Sequence, residues 1–150
     1  MKKTHLVGAV ILSVCMLTAC GKKDEIILSE LSSKLISEID FNEQLTELNE
    51  DGAARYLYLN PGEYKEITAY VSTNAVVDEF IIIKTSSAST VKNKIDSHIE
   101  ELKREYAEYR PDEVYKLDDA VVETYKDTVT LIISPDNSKA KQVYDNYLKK

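Results

Sequence analysis

Phe80-Ile81-Ile82-Ile83 is an apolar run with no polar residue to turn toward water. Successive side chains of a strand point to opposite faces, so four apolar residues in a row bury both. Within Val76–Thr85 (VVDEFIIIKT) the run predicts a central strand covered on both sides. Tyr64–Ser72, just before it, alternates instead: Ile67, Ala69 and Val71 on one side, Glu66, Thr68 and Tyr70 on the other. That is the pattern of a half-buried strand.

The remaining elements are placed around these two. Leu28, Leu31, Leu35 and Ile39 share one helical face, which predicts a helix over 25–39. Asp40 followed by Glu43 reads as a capping box for a second short helix, with Phe41, Leu45 and Leu48 inward and Gly52 ending it. Ala53–Leu59 (AARYLYL) fits either one more helical turn or a short strand. Asn60-Pro61-Gly62-Glu63 has the residues of a type II turn. Val91, Ile95, Ile99, Leu102 and Tyr106 stripe a long helix over Ser86–Tyr109, capped by Ser86 or Ser87 and stopped by Pro111. Ala120–Tyr125 and Thr128–Ser134 form a hairpin around Lys126-Asp127, with Val129, Leu131 and Ile133 on one face, and Ser138–Leu148 is a last amphipathic helix. The expected fold is a single α+β domain over 25–150, an antiparallel sheet of about four strands with helices packed on it.

The first twenty residues belong to something else. Lys2 and Lys3 precede the twelve-residue apolar run Leu6–Leu17. Such a run is too short to span a bilayer, which needs about 20 residues, but it fits the core of a cleaved export signal. Leu17-Thr18-Ala19-Cys20 resembles the lipobox of bacterial lipoproteins. The resemblance implies a lipoprotein signal peptide over 1–19 and a diacylated Cys20 as the mature N-terminus. Residues 20–24 are then a lipidated tether and the protein sits on the extracytoplasmic face of the cell membrane. Three extended residues, Gly21-Lys22-Lys23, reach about 10 Å, so the first helix starts near the bilayer. Lys22 and Lys23 are placed either to meet anionic lipid or to be solvated linker charges.

Removing 1–19 empties the domain of several chemistries. Cys15 leaves with the signal and lipid consumes Cys20, so no thiol or disulfide is left. Of two histidines only His98 stays. Zinc and copper sites drawing on His and Cys, a Cys–His pair and a glycine-rich phosphate loop all lack their residues. Lys2 and Lys3 leave as well, so the 19 basic residues fall to 17 against 26 acidic ones, a net charge near −9. Nucleic acid, bound through cations on phosphate, is an unsuitable partner for that surface. No cofactor and no metal is expected.

The lipobox, the strand Asp78–Lys84, the helix ending Tyr109-Arg110-Pro111 and the hairpin running into Leu131–Asp136 together resemble a family of bacterial lipoproteins. It is catalogued as domain of unknown function 4358. The similarity spans roughly 41–147. It implies no activity and no site residues, and it favours a helix end over a strand for Tyr56-Leu57-Tyr58-Leu59.

Several residues could carry chemistry. His98 flanks the apolar stripe of the long helix and reads first as a partly buried, hydrogen-bonded core histidine. Glu79 beside Phe80 is a carboxylate in an apolar setting, open to a raised pKa, to a lysine partner or to a place at a sheet edge. Asp118-Asp119 and Asp136-Asn137 offer hard oxygen ligands without the spacing of a calcium loop. All ten tyrosines lie beyond the signal. Tyr64 and Tyr70 face away from Ile67, Ala69 and Val71, and if AARYLYL is a strand, Tyr56 and Tyr58 join them as an exposed binding surface. The alternative is that helix 25–39 covers that face. The reading is a surface-anchored, non-catalytic binding or interaction module, held to the membrane through Cys20, with a protein or cell-wall partner. Two alternatives stand beside it: a carboxylate-dependent hydrolase using Glu79 and an acid from Asp118–Asp119 on cell-wall material, and a small-ligand or ion-binding accessory to a membrane complex.

Overall fold

The computed structural model describes residues 21–149, so the export segment and Cys20 lie outside the described residues. In order they form α1 (Leu28–Glu38), β1 (Thr46–Leu48), α2 (Glu50–Tyr56), β2 (Glu66–Val71), β3 (Glu79–Lys84), α3 (Ala88–Tyr109), α4 (Val114–Asp118), β4 (Val121–Tyr125), β5 (Thr128–Ile133) and α5 (Asn137–Leu148). The fold is α+β. Five strands make one antiparallel sheet in the order β1-β2-β3-β5-β4.

β3 lies at the centre, and Phe80 to Ile83 are all fully buried. Its alternation feeds two cores. Ile81 and Ile83 join Val129, Leu131 and Ile133 of β5 against the Val91–Ile95–Ile99–Leu102 stripe of α3 and the small Ala53–Ala54 face of α2. Phe80 and Ile82 point the other way and meet Leu31 and Leu35 of α1 and Val143, Tyr144 and Tyr147 of α5. Each such aliphatic or aromatic side chain contributes about 1.5–3 kcal/mol on burial. Neither face of the sheet is left open for a tyrosine surface, because α1 and α5 cover the one turned away from α3.

The fifth strand replaces an expected helix. Asp40 does not cap: its carboxylate takes Lys139 of α5 at 2.9 Å. The Glu43 carboxylate accepts from the Thr73 N–H at 3.1 Å and the Thr73 hydroxyl at 2.7 Å, across the sheet edge. With both ends of the predicted box committed to distant partners, 40–45 is irregular, and 46–48 pairs with Ala69–Val71 of β2. The helix starts later, at Asn49, whose side chain accepts from Gly52 N–H at 2.8 Å. Gly52 therefore opens a helix rather than closing one; a Cβ there would sit 3.0 Å from the Asn49 side-chain oxygen. Gly62, at φ +90°, supplies the left-handed residue of the expected type II turn, closed by Glu63 N–H to Asn60 O at 3.1 Å. Ser87 sits at the start of α3 but makes no side-chain cap.

The segment after α3 carries no long apolar stripe, and it folds as a 3-10 turn at Pro111–Glu113 running into α4. Its contribution is polar. Lys116 Nζ donates to Asp78 Oδ1 and to Glu113 Oε2, both at 2.6 Å, with all three side chains almost wholly buried. Asp78 also accepts the Asn42 N–H at 2.6 Å and Glu113 the Val77 N–H at 3.1 Å. Burial opposes the ammonium charge of Lys116, but its bonds to Asp78 and Glu113 outweigh that and raise its pKa. Removing one member of such a network strands the others without a partner, which costs about 3–5 kcal/mol. Lys116→Ala is expected to lose that much in urea unfolding. A loss under about 1 kcal/mol would show that the acids find water instead.

Candidate functional site

Side-chain parity along β3 determines where its first acid goes. Glu79 lies in register with Ile81 and Ile83, so it faces α2 and α3, and it is 2% exposed. On α3, His98 stands one turn from Ile95 and Leu102 on the buried stripe. On the last turn of α2, Tyr56 reaches the same point. Tyr56 Oη donates to Glu79 Oε2 at 2.7 Å, and His98 Nε2 donates to Glu79 Oε1 at 2.8 Å. The Tyr56 and His98 rings meet edge to face, centroids 4.7 Å apart. Both oxygens of one buried carboxylate are thus satisfied by two aromatic donors from different helices.

The electrostatics follow from that geometry. Desolvation resists protonation of His98, but the charge of Glu79 and the hydrogen bond to it prevail, leaving its pKa above the usual 6.5. Burial is the largest cause holding the Tyr56 phenol far above its ordinary range, and the Glu79 charge adds to it. Tyr56 is therefore a hydrogen-bond donor at any physiological pH and not a base.

Above the cluster α2 ends in a Schellman motif: Leu59 N–H bonds Ala54 O at 2.8 Å and Tyr58 N–H bonds Arg55 O at 3.1 Å. The left-handed position of that motif usually holds glycine. Here Tyr58 occupies it at φ +53°, with 70% of its surface exposed. Lys94 of α3 donates to the Tyr58 carbonyl and pairs with Glu63 at 3.0 Å, bracing the turn. Between Tyr58 and α3 lies a recess of about 220 Å³ lined by Arg55, Tyr56, Tyr58, His98, Glu101, Leu102 and Glu105.

The four tyrosines expected on one face are divided. Tyr56 and Tyr58 border this recess, Tyr64 packs half-buried against the same core, and Tyr70 stacks on Phe80 at 4.8 Å on the opposite face. The shared face fails twice: AARYLYL is the end of a helix and its turn, not a strand, and Tyr64 precedes β2, which begins at Glu66, so strand alternation does not place it with Tyr70. Nor does the structure bring Glu79 to the aspartates: Asp118 pairs with Lys103 at 3.2 Å, and Asp119 lines a separate groove beside β4. Asp136 caps α5 through the Lys139 N–H at 2.9 Å, and the Asn137 amide holds Ser134 and the Lys116 carbonyl. Among the described residues no group of three His, Asp or Glu side chains is placed to hold a metal ion. The Tyr56–Glu79–His98 cluster was not seen in the sequence. Its signal was parity: Glu79 and His98 each lie on the buried side of an element already assigned to one core.

The family described as Domain of unknown function (DUF4358) matches residues 37–134. That span takes in Tyr56, Glu79, His98 and the Asp78–Lys116–Glu113 network. No curated protein and no solved structure matches the chain.

A histidine whose folded pKa is raised binds its proton on folding. Its stabilisation is complete below about pH 6.5, the unfolded value, and is lost as pH rises through the folded one. Because His98 is the lone histidine beyond the export segment, its imidazole proton resonances report this directly. They are expected to titrate above pH 6.5 in the wild type and to move back toward it in Glu79→Gln. A wild-type midpoint at or below 6.5 would refute the ion pair.

Proposed function

Because the chain belongs to the family described as Domain of unknown function (DUF4358), which brings no activity with it, we propose a function from its own surface: a lipid-anchored, extracytoplasmic binding module that engages a protein or cell-wall partner at the Tyr58 recess. The carrying observation is Tyr58 itself. A large side chain in the left-handed region costs about 1–2 kcal/mol, and this one returns little of that in burial. Strain of this kind gathers where a side chain has a role other than packing.

The walls suggest the chemistry of the partner. An exposed tyrosine ring beside Glu101 and Glu105 favours a basic group, held by the carboxylates and by the ring face. Arg55 on the opposite wall offers a second contact for an acidic or carbonyl neighbour. The buried acids take no part in this reading, since Glu79, Asp78 and Glu113 are occupied within the fold.

Tyr58→Gly separates strain from recognition. Glycine relieves the left-handed cost but adds back about 0.5–1 kcal/mol of backbone entropy, so the variant is expected to be more stable by roughly 0.5–1 kcal/mol. A photo-crosslinker at Arg55 in the membrane-held full chain should yield a discrete adduct, and Tyr58→Gly should abolish it despite the added stability. An adduct that survives Tyr58→Gly, or no adduct from Arg55, contradicts the reading.

A further inference from the structure

The residues that follow Cys20 are fastened to the domain almost at once. Lys22 forms a β-bridge with Lys149, and Lys23 N–H bonds Leu148 O at 2.9 Å. The Tyr125 hydroxyl donates to Lys23 O at 2.7 Å, and Lys126 Nζ donates to the carbonyl of Asp24. Lys23 itself pairs with Glu30 at 2.7 Å and lies 3.9 Å over the Tyr147 ring. The expected free tether over 20–24 is thus reduced to Gly21, about 3.5 Å of extended chain.

These attachments all fall at one end of the sheet. Tyr125 is opposite Thr128, Thr128 opposite Lys84, and Lys84 opposite Glu66. The other end is the row Val71, Glu79 and Ile133, five residues away, or about 17 Å at strand spacing. Tyr56 and His98 belong to that far end through Glu79. Lys22, Lys65, Lys126 and Lys149 are exposed at the near end. Asp24, Glu25, Glu66 and Asp127 are there too, but Glu25 and Glu66 are drawn to Lys84, at 3.3 and 3.6 Å, and Asp127 to Lys65, at 4.0 Å. Counting Lys84, these residues are five lysines against four acids, a small excess of cations in a chain with 26 acidic and 19 basic residues. None of the described helices is long and apolar enough to cross a membrane.

We infer that the domain stands upright on the bilayer, with the β4–β5 hairpin tip, Lys22 and Lys149 against anionic phospholipid headgroups and the Tyr58 recess presented at the opposite end. This rests on the lipidation of Cys20. One residue of slack prevents the domain from tumbling over its anchor, and the lysines select the contact face by their attraction to anionic headgroups.

The test uses the full chain, expressed with lipoprotein processing, carrying one thiol-reactive fluorophore at Lys65→Cys or at Asn74→Cys. Phosphatidylglycerol vesicles carry a nitroxide on the lipid headgroup. Quenching at position 65 is expected to exceed that at 74 at least threefold; equal quenching overturns the orientation. Adding Lys126→Glu and Lys149→Glu should at least halve that contrast, and an unchanged contrast overturns the role of anionic lipid. The intact mass of the same samples separates the two layers of the claim. Diacylglycerol on Cys20 with equal quenching defeats the orientation alone, whereas a mass without acyl chains defeats the anchor and the inference with it.

Discussion

Two consecutive carboxylates, Asp78 and Glu79, are buried at the head of the central strand, and the rest of the fold is arranged to satisfy them. A buried carboxylate without partners is too costly for a domain of this size to carry. Asp78 takes Lys116 from α4 and the Asn42 N–H from the segment after α1. Glu79 takes His98 from α3 and Tyr56 from α2. One dipeptide therefore docks three helices and a loop. Because its two side chains diverge, a slip of β3 by one residue would forfeit both sets of bonds as well as the two-sided burial of Phe80–Ile83.

The same requirement shapes the surface. Glu79 holds the Tyr56 ring inward against His98, and α2 ends at that residue, the chain reversing through Leu57–Leu59. Leu57 and Leu59 return to the core while Tyr58 is turned out. The recess lies over this buried pairing, and Tyr58, Arg55, Glu101 and Glu105 are the parts of its wall that the core does not claim. At the other end of the strands, the start of the domain is joined to the end of α5 by backbone bonds and to the hairpin tip by the side chains of Tyr125 and Lys126. The Tyr56–Glu79–His98 cluster beneath the recess and the attachment of Lys22 and Lys23 are separated by the length of β3.

Elements with a strong period were legible in the sequence. The unbroken Phe80–Ile83 run, the alternation of Ile67 and Ala69 and the Val91–Tyr106 stripe each reflect a local geometry that tertiary contacts reinforce. The Asp40–Glu43 segment misled because its acids satisfy Lys139 and Thr73, partners 99 and 30 residues away. α4 escaped because its five residues are held by a buried lysine, which has no signature in hydrophobic periodicity. The tyrosine face depended on reading AARYLYL as a strand and on running β2 back to Tyr64, whereas the Asn49 cap and the Schellman turn make the first a helix end and β2 begins at Glu66. Of the candidate site, Tyr56 and Tyr58 were visible as residues; that Glu79 and His98 lie beneath them emerges only when β3 and α3 are placed face to face.

A double-mutant cycle between Glu79 and His98 tests the central claim most directly. Glu79→Gln, His98→Gln and the double variant are compared with wild type by urea unfolding at pH 6, where the imidazole is charged. Contacting charged partners in a buried network couple by about 0.5–3 kcal/mol, and the account predicts a value above about 1 kcal/mol that declines as pH rises past the raised pKa of His98. Additive losses, with coupling under about 0.3 kcal/mol at pH 6, would show that the carboxylate does not organise the helices around it.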